Sequence, residues 1–225
     1  MVILSGGKDG QRGDPVRFEA ERCALLGVDI QNDFCPGGAL GVPDGDSIVG
    51  VVNRLTRRFR HVVLTQDWHP ADHVSFASTW GKPLYEVVDA GGIQQVVWPD
   101  HCIQGTIGAA FHPGLRTEAA SIIVRKGTRS DLDSYSALFE NDRKTPTGLE
   151  GWLRSVGATS LWITGLATDY CVYYTALDAL SAGFEVVIVE DAVRGVDVPE
   201  GNVDRVVSEL KGLGVTFVPS KVLGD

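Results

Sequence analysis

The sequence predicts an α/β fold in which helices cover both faces of a mostly parallel, six-stranded sheet. Three observations predict it. Short apolar runs rich in β-branched residues recur along the chain, as buried parallel strands require. Amphipathic stretches of helical period separate them. The composition, 44% hydrophobic and 22% charged over 225 residues, is that of a globular chain with a sizeable core.

Residues 1–21 are Gly-rich and charged in patches, and read as a flexible leader ahead of a single domain over 22–225. Gly7-Lys8 lacks the following Ser or Thr of a phosphate loop. Cys23 to Asp29 reads as the first buried strand, and His61 to Thr65 as the second. Between them, Ser47 to Arg60 places Ile48, Val51, Val52, Leu55 and Phe59 on one helical face. Ser121–Val124, Ser160–Thr164, Glu185–Val189 and Val215–Val218 complete the six strands. Helices are expected near 147–156, 170–182 and 200–212. The segment 68–119 carries little regular signal, and an internal loop of that length is usually functional.

Net charge is −9, which disfavours a nucleic-acid or anionic-membrane partner. Arg57, Arg58 and Arg60 fit a solvated helix face. No apolar run reaches membrane-spanning length and no signal-peptide pattern opens the chain, so the expected location is the cytoplasm. The four cysteines, Cys23, Cys35, Cys102 and Cys171, have no paired spacing and read as reduced thiols.

In such sheets ligands bind beyond the carboxyl ends of the strands. Asp29, Asp67, Lys126 and Cys171 all lie at or just past predicted strand ends. Thr168 is the expected N-cap of the helix after the fourth strand, which puts Cys171 in its first turn. Unpaired N–H groups and the helix dipole there should ease ionisation of the thiol and could hold an oxyanion. Taken alone, Cys171 reads better as a small buried residue packed under a helix than as a nucleophile. Asp29 alone could be a turn cap, and Lys126 a surface charge. Together they supply a proton acceptor, a cation and a sulfur nucleophile, which is what cysteine-based amide hydrolysis needs.

A second constellation is Asp67-Trp68-His69, with His73 four residues on and His101 further along. Residues two apart on an extended segment point the same way, so Asp67 and His69 can face one ion. His101 makes a third ligand, and His73 or water would fill further positions. Imidazoles plus a carboxylate suit zinc, iron(II) or manganese.

Five segments carry a family resemblance: Val28 to Gly38 (VDIQNDFCPGG), Thr65 to Pro70 (TQDWHP), Trp98 to Cys102 (WPDHC), Arg125 to Gly127 (RKG) and Gly165 to Val172 (GLATDYCV). In this order they resemble nicotinamidases, within the isochorismatase-like cysteine hydrolases. The likeness spans roughly Cys23 to Val218. It implies a three-layer α/β/α sandwich and makes 22–225 one cysteine-hydrolase domain. It implies a catalytic triad of Asp29, Lys126 and Cys171. It also implies a metal bound by Asp67, His69 and His101, with zinc as the expected ion and His73 as a fourth ligand or a neighbour of the set. The Leu166–Ala167 bond matches the family's cis peptide, with the Ala167 and Cys171 N–H groups forming the oxyanion hole. Phe34, Trp98 and Tyr135, with Leu166 and Ala167, match residues around the pyridine ring. The implied reaction deamidates nicotinamide to nicotinate and ammonia through a thioester on Cys171, as in NAD salvage. The implied partner is a small molecule, with room for a homo-oligomer. Alternatives are an amidase of the same superfamily acting on another carboxamide or ureido compound, and a non-catalytic metal-binding module on this fold. The stretch Gly127 to Arg143, with Ser134-Tyr135-Ser136, varies in the family and is expected to tune substrate access.

Overall fold

Strand β3 (Cys23–Val28) is buried along its whole length, and its side chains alternate between two cores. Cys23 and Leu25 face one layer, while Ala24, Leu26 and Val28 face the other. That period-two alternation, apolar on both sides, places it at the centre of a covered sheet. The computed structural model describes residues 2–4 and 16–224. Within it β3 pairs with β4 (His61–Asp67) on one side and β8 (Ser160–Leu166) on the other. Outside these lie β7 (Ile122–Lys126) on β4, and β9 (Glu185–Arg194) then β10 (Thr216–Val218) beyond β8. The six-stranded order is β10-β9-β8-β3-β4-β7, and every pairing is parallel.

One face is covered by α1 (Val49–Leu55), whose Val49, Val52 and Leu55 pack with Leu25, Trp162 and Val187. The other is covered by α3 (Leu149–Ser155), α4 (Tyr173–Ser181) and α5 (Asn202–Gly212), which bury Leu149, Leu153, Ala176, Val206 and Leu210. The three-layer α/β/α arrangement is therefore as expected.

Several boundaries differ from the sequence expectation. The helix predicted over 47–60 is a 3₁₀ turn at Gly45–Ile48 followed by the shorter α1. Strands β4 and β7 each run two residues further than expected, so Asp67 and Lys126 are their last residues. The segment 68–119 is not structureless. It holds α2 (Ala77–Trp80) and an antiparallel hairpin of β5 (Val87–Ala90) and β6 (Ile93–Val96). Within the expected leader, β1 (Val2–Leu4) pairs antiparallel with β2 (Val16–Phe18). Phe18 packs edge-on against Phe59 and Trp162. Residue 1 and residues 5–15 of that leader lie outside the described residues.

Candidate active site

The strand order changes direction between β3 and β8, and that switch point opens a crevice at their carboxyl ends. Asp29 leaves β3 and Cys171 follows β8, so the two flank the crevice. Gly165 (φ 112°) lets the two strands approach, since a Cβ there would strike the backbone of Val28. Asp29 itself is left-handed (φ 49°), which turns the chain sharply off the sheet. Thr65 fixes that turn: its Oγ accepts the Asp29 N–H at 3.2 Å and donates to Asp29 Oδ1 at 2.6 Å.

Lys126 comes from β7, two strands away, and its long stem reaches over the end of β4. Its ammonium donates to the Ser134 carbonyl at 2.8 Å and to Cys171 Sγ at 3.5 Å, and forms an ion pair with Asp29 Oδ2 at 2.9 Å. It also makes a very short contact with Asp67 Oδ1. All four side chains are buried, and Lys126 and Asp29 are wholly so. Carboxylate oxygens of Asp29 and Asp67 and the Cys171 sulfur lie within 4.8 Å of one another. One buried ammonium thus serves two carboxylates and a thiol.

The electrostatics follow. Burial pushes Asp29 up to about 6, against the pull of Lys126. Burial also opposes ionisation of Asp67, but Lys126 and then His69 hold it below the ordinary carboxylate range. Lys126 stays an ammonium: Asp29 and Asp67 outweigh its desolvation and raise it well above its usual value. Cys171 overturns the expectation of an easily ionised thiol. Burial raises it well above the usual value, and Asp29 and Asp67 add to this against Lys126. The expected Thr168 cap is also replaced. Cys171 lies in a π-helical turn, Thr168–Val172, that starts from an extended Ala167 and closes with Val172 N–H on the Ala167 carbonyl at 3.1 Å. The Leu166–Ala167 peptide is cis.

Beside this cluster, ligand atoms of Asp67, His69 and His101 also lie within 4.8 Å of one another, all buried. His69 Nδ1 donates to the Gly127 carbonyl at 2.9 Å, and His101 Nδ1 to the Pro99 carbonyl at 2.7 Å. Carbonyls only accept, so in the neutral rings both Nε2 atoms carry the lone pair a metal needs. His69 Nε2 already faces Asp67 Oδ2 at 3.5 Å. Gly127 (φ 59°) makes room, because a Cβ there would overlap the His69 ring. The donor set therefore fits a divalent ion. His73 falls outside this group of three; its ligand atom lies within 4.8 Å of those of His69 and Asp133 instead. Its ring stacks on His69 at 4.0 Å, its Nδ1 is taken by Ser75 Oγ at 2.7 Å, and its Nε2 turns towards Asp133 Oδ1, 4.0 Å away.

Both clusters open into one cleft of about 380 Å³. Phe34, Trp98, Tyr135, Ala167 and Cys171 line it with Asp67 and His101. Trp98 donates its indole N–H to Tyr135 Oη at 3.0 Å. Leu166 does not line it; the side chain is buried in the core with Phe34 and Val42. Residues not singled out from sequence also contribute. Tyr170 stands edge-on to Trp98 with centroids 4.6 Å apart, and Asp133, Leu40 and Val196 complete the wall. Tyr170 sits next to Cys171 in a quoted motif, and that adjacency was the available signal. Asp133 falls in the stretch expected to vary and had none.

Among the described residues no helix is long and apolar enough to cross a membrane. The Isochorismatase domain matches residues 23–218. The chain is 46% identical to a nicotinamidase of Escherichia coli, over 86% of this chain and 93% of that protein. A solved nicotinamidase-pyrazinamidase of Acinetobacter baumanii superposes with a TM-score of 0.88 at 45% identity, covering 90% of this chain and 98% of the other. A pyrazinamidase of Pyrococcus horikoshii, solved in complex with zinc, superposes with a TM-score of 0.72 at 40% identity, covering 88% and 99%. The chain belongs to the isochorismatase family and, within it, to the nicotinamidases.

Proposed function

We propose that the protein hydrolyses nicotinamide to nicotinate and ammonia, with Cys171 as nucleophile, Asp29 as proton carrier and Lys126 as the fixed cation. The observation that carries the reading is the single buried ammonium in contact with Asp29, Asp67 and Cys171, beneath an aromatic cleft that Asp67 and Cys171 line. Asp67, His69 and His101 would hold a divalent ion, with zinc favoured by the donor set and by the zinc complex of the Pyrococcus relative. When bound, the ion supplies a Lewis-acidic anchor for the lone pair of a ring nitrogen.

The chain's own residues do the rest. Phe34, Trp98 and Tyr135 offer apolar surfaces for a flat ring. The raised Cys171 stays a thiol until substrate arrives, while Asp29 is a stronger proton acceptor than a free carboxylate. As the sulfur attacks the carboxamide carbon, its proton passes to Asp29. The oxygen that gains charge meets the Ala167 and Cys171 N–H groups at the start of the π-turn. Asp29 returns the proton to the leaving nitrogen, ammonia departs and a thioester remains on Cys171. Water then attacks the thioester, giving its proton to Asp29, and the thiol is restored as nicotinate leaves.

The test is ammonia release from nicotinamide by the zinc-loaded protein and by Cys171→Ala. The native protein should turn over, and the variant should lose about 10⁴-fold or more, as nucleophile deletions do. Equal background rates in both would refute the reading.

A further inference from the structure

Strand β3 leaves the sheet at Asp29, but β4 continues to Asp67. The last β3–β4 register pair is Gly27 with Leu64. Beyond it the end of β4 loses its neighbour on that side. Trp68 N–H still bonds the Lys126 carbonyl on the β7 side at 3.0 Å. Backbone groups of successive residues in a parallel ladder face opposite neighbours, so the N–H and C=O of Asp67 point to the side β3 has left. A buried backbone pair without partners is costly.

The side chain of Gln31 fills that place. Its Oε1 accepts the Asp67 N–H at 2.8 Å, and its Nε2 donates to the Asp67 carbonyl at 2.8 Å. The second Nε2 hydrogen goes to the Ala109 carbonyl at 2.9 Å. Gln31 is fully buried, and these bonds occupy both its N–H donors. A carboxamide presents acceptor and donor in one plane, as a peptide unit does, so it extends the ladder by one residue. Gln31 sits two residues past Asp29, so the turn that delivers the triad acid also grips the backbone of Asp67, whose carboxylate lies between Lys126 and the imidazole pair.

We infer that Gln31 is a positioning residue that fixes the Asp67 backbone, so that one carboxylate can serve the metal site and the catalytic ammonium together. The inference rests on the metal reading proposed above. Its effect should reach both zinc binding and turnover, although Gln31 itself touches neither ion nor substrate.

The test compares native protein, Gln31→Met and Gln66→Met. Zinc affinity of the metal-free protein is read by competition with a chromophoric chelator, kcat with nicotinamide on the loaded protein, and folding by thermal melting. The Gln66 side chain donates to the same Ala109 carbonyl at 2.7 Å and accepts from Arg125 Nε at 3.2 Å, with no hydrogen bond to the Asp67 backbone, so it controls for that segment. Gln31→Met should lose about 10–100-fold in zinc affinity and a similar factor in kcat, as loss of a partner behind a metal ligand does. Gln66→Met should keep its zinc affinity. Native zinc affinity and kcat in a folded Gln31→Met protein would overturn the inference, and so would equal losses in the two variants. If Gln31→Met does not fold, Gln31→Asn decides, since it keeps the polar group but withdraws it by one methylene; zinc affinity unchanged there is equally fatal. An Asp67→Ala control separates the two levels. If it binds zinc as the native protein does, the metal site itself is misplaced. If only the Gln31 variants match native, the site stands and the positioning role falls.

Discussion

The floor and the wall of the cleft are built differently. Asp29, Asp67, Lys126 and Cys171 sit at the ends of four adjacent strands, and their spacing is set by the sheet. Trp98, His101, Asp133 and Tyr135 come from long connections after β4 and β7, held by side-chain hydrogen bonds. Gln95 Nε2 reaches Asp133 Oδ2 at 2.8 Å, Asn141 Oδ1 accepts the Tyr135 N–H at 2.9 Å, and Asp33 Oδ2 accepts the Cys102 N–H at 2.7 Å beside His101. The difference teaches a division of labour. Chemistry that depends on a buried charge balance rests on the rigid sheet, and ring recognition rests on connections that can vary without disturbing it.

The largest expected effect breaks the floor. Lys126→Met removes the cation between two buried carboxylates. It should abolish turnover and cost about 3–5 kcal/mol of stability, read by chemical denaturation, because uncompensated buried charge is costly. A fully active and equally stable variant would show that the carboxylates do not need it.

A smaller effect sharpens the floor's role. Asp29 must be ionised to accept the thiol proton, and it is raised to about 6. The rate should therefore fall as pH drops through about 6. The thiol is raised rather than lowered, so no rise marking thiolate formation should appear across the neutral range. A pH–rate profile of kcat/KM checks both limbs. An acid limb at the ordinary carboxylate value near 4 would contradict the burial argument.

The smallest effect belongs to the wall. Tyr135→Phe deletes the acceptor for the Trp98 indole but keeps the ring. A lost hydrogen bond of this kind is worth about 0.5–1.5 kcal/mol, so KM should rise a few-fold with kcat nearly kept. A fall in kcat as large as that from a floor substitution would erase the distinction between the two regions.

The same division decides what the sequence could reveal. Each floor residue ends or follows an apolar run, and strand ends are where an α/β sheet binds ligands, so these four are legible in the sequence. His69 followed from its two-residue offset to Asp67. The wall was harder to read. The 68–119 segment has no dominant period, so its hairpin and the placing of Gln95 were hidden. Asp133 lies in a stretch with no pattern at all. Leu166 lies beside Ala167 in the same motif, but it is the last residue of β8 and its side chain is fully buried in the core. The thiol departs from the sequence expectation for a physical reason: a helix-start argument counts dipole and N–H groups but not burial beside two carboxylates. Gln31 lay within a quoted motif, but its role depends on where β3 leaves the sheet, which only the register shows.

The central claim is that one buried ammonium assembles a thiol, a proton carrier and a metal ligand into a covalent catalyst. The most direct measurement is rapid acid quenching of native protein during nicotinamide turnover, followed by mass analysis of the peptide that contains Cys171. The account predicts a nicotinoyl group on Cys171 that disappears as substrate is exhausted. Sustained ammonia release with that sulfur never acylated would contradict it.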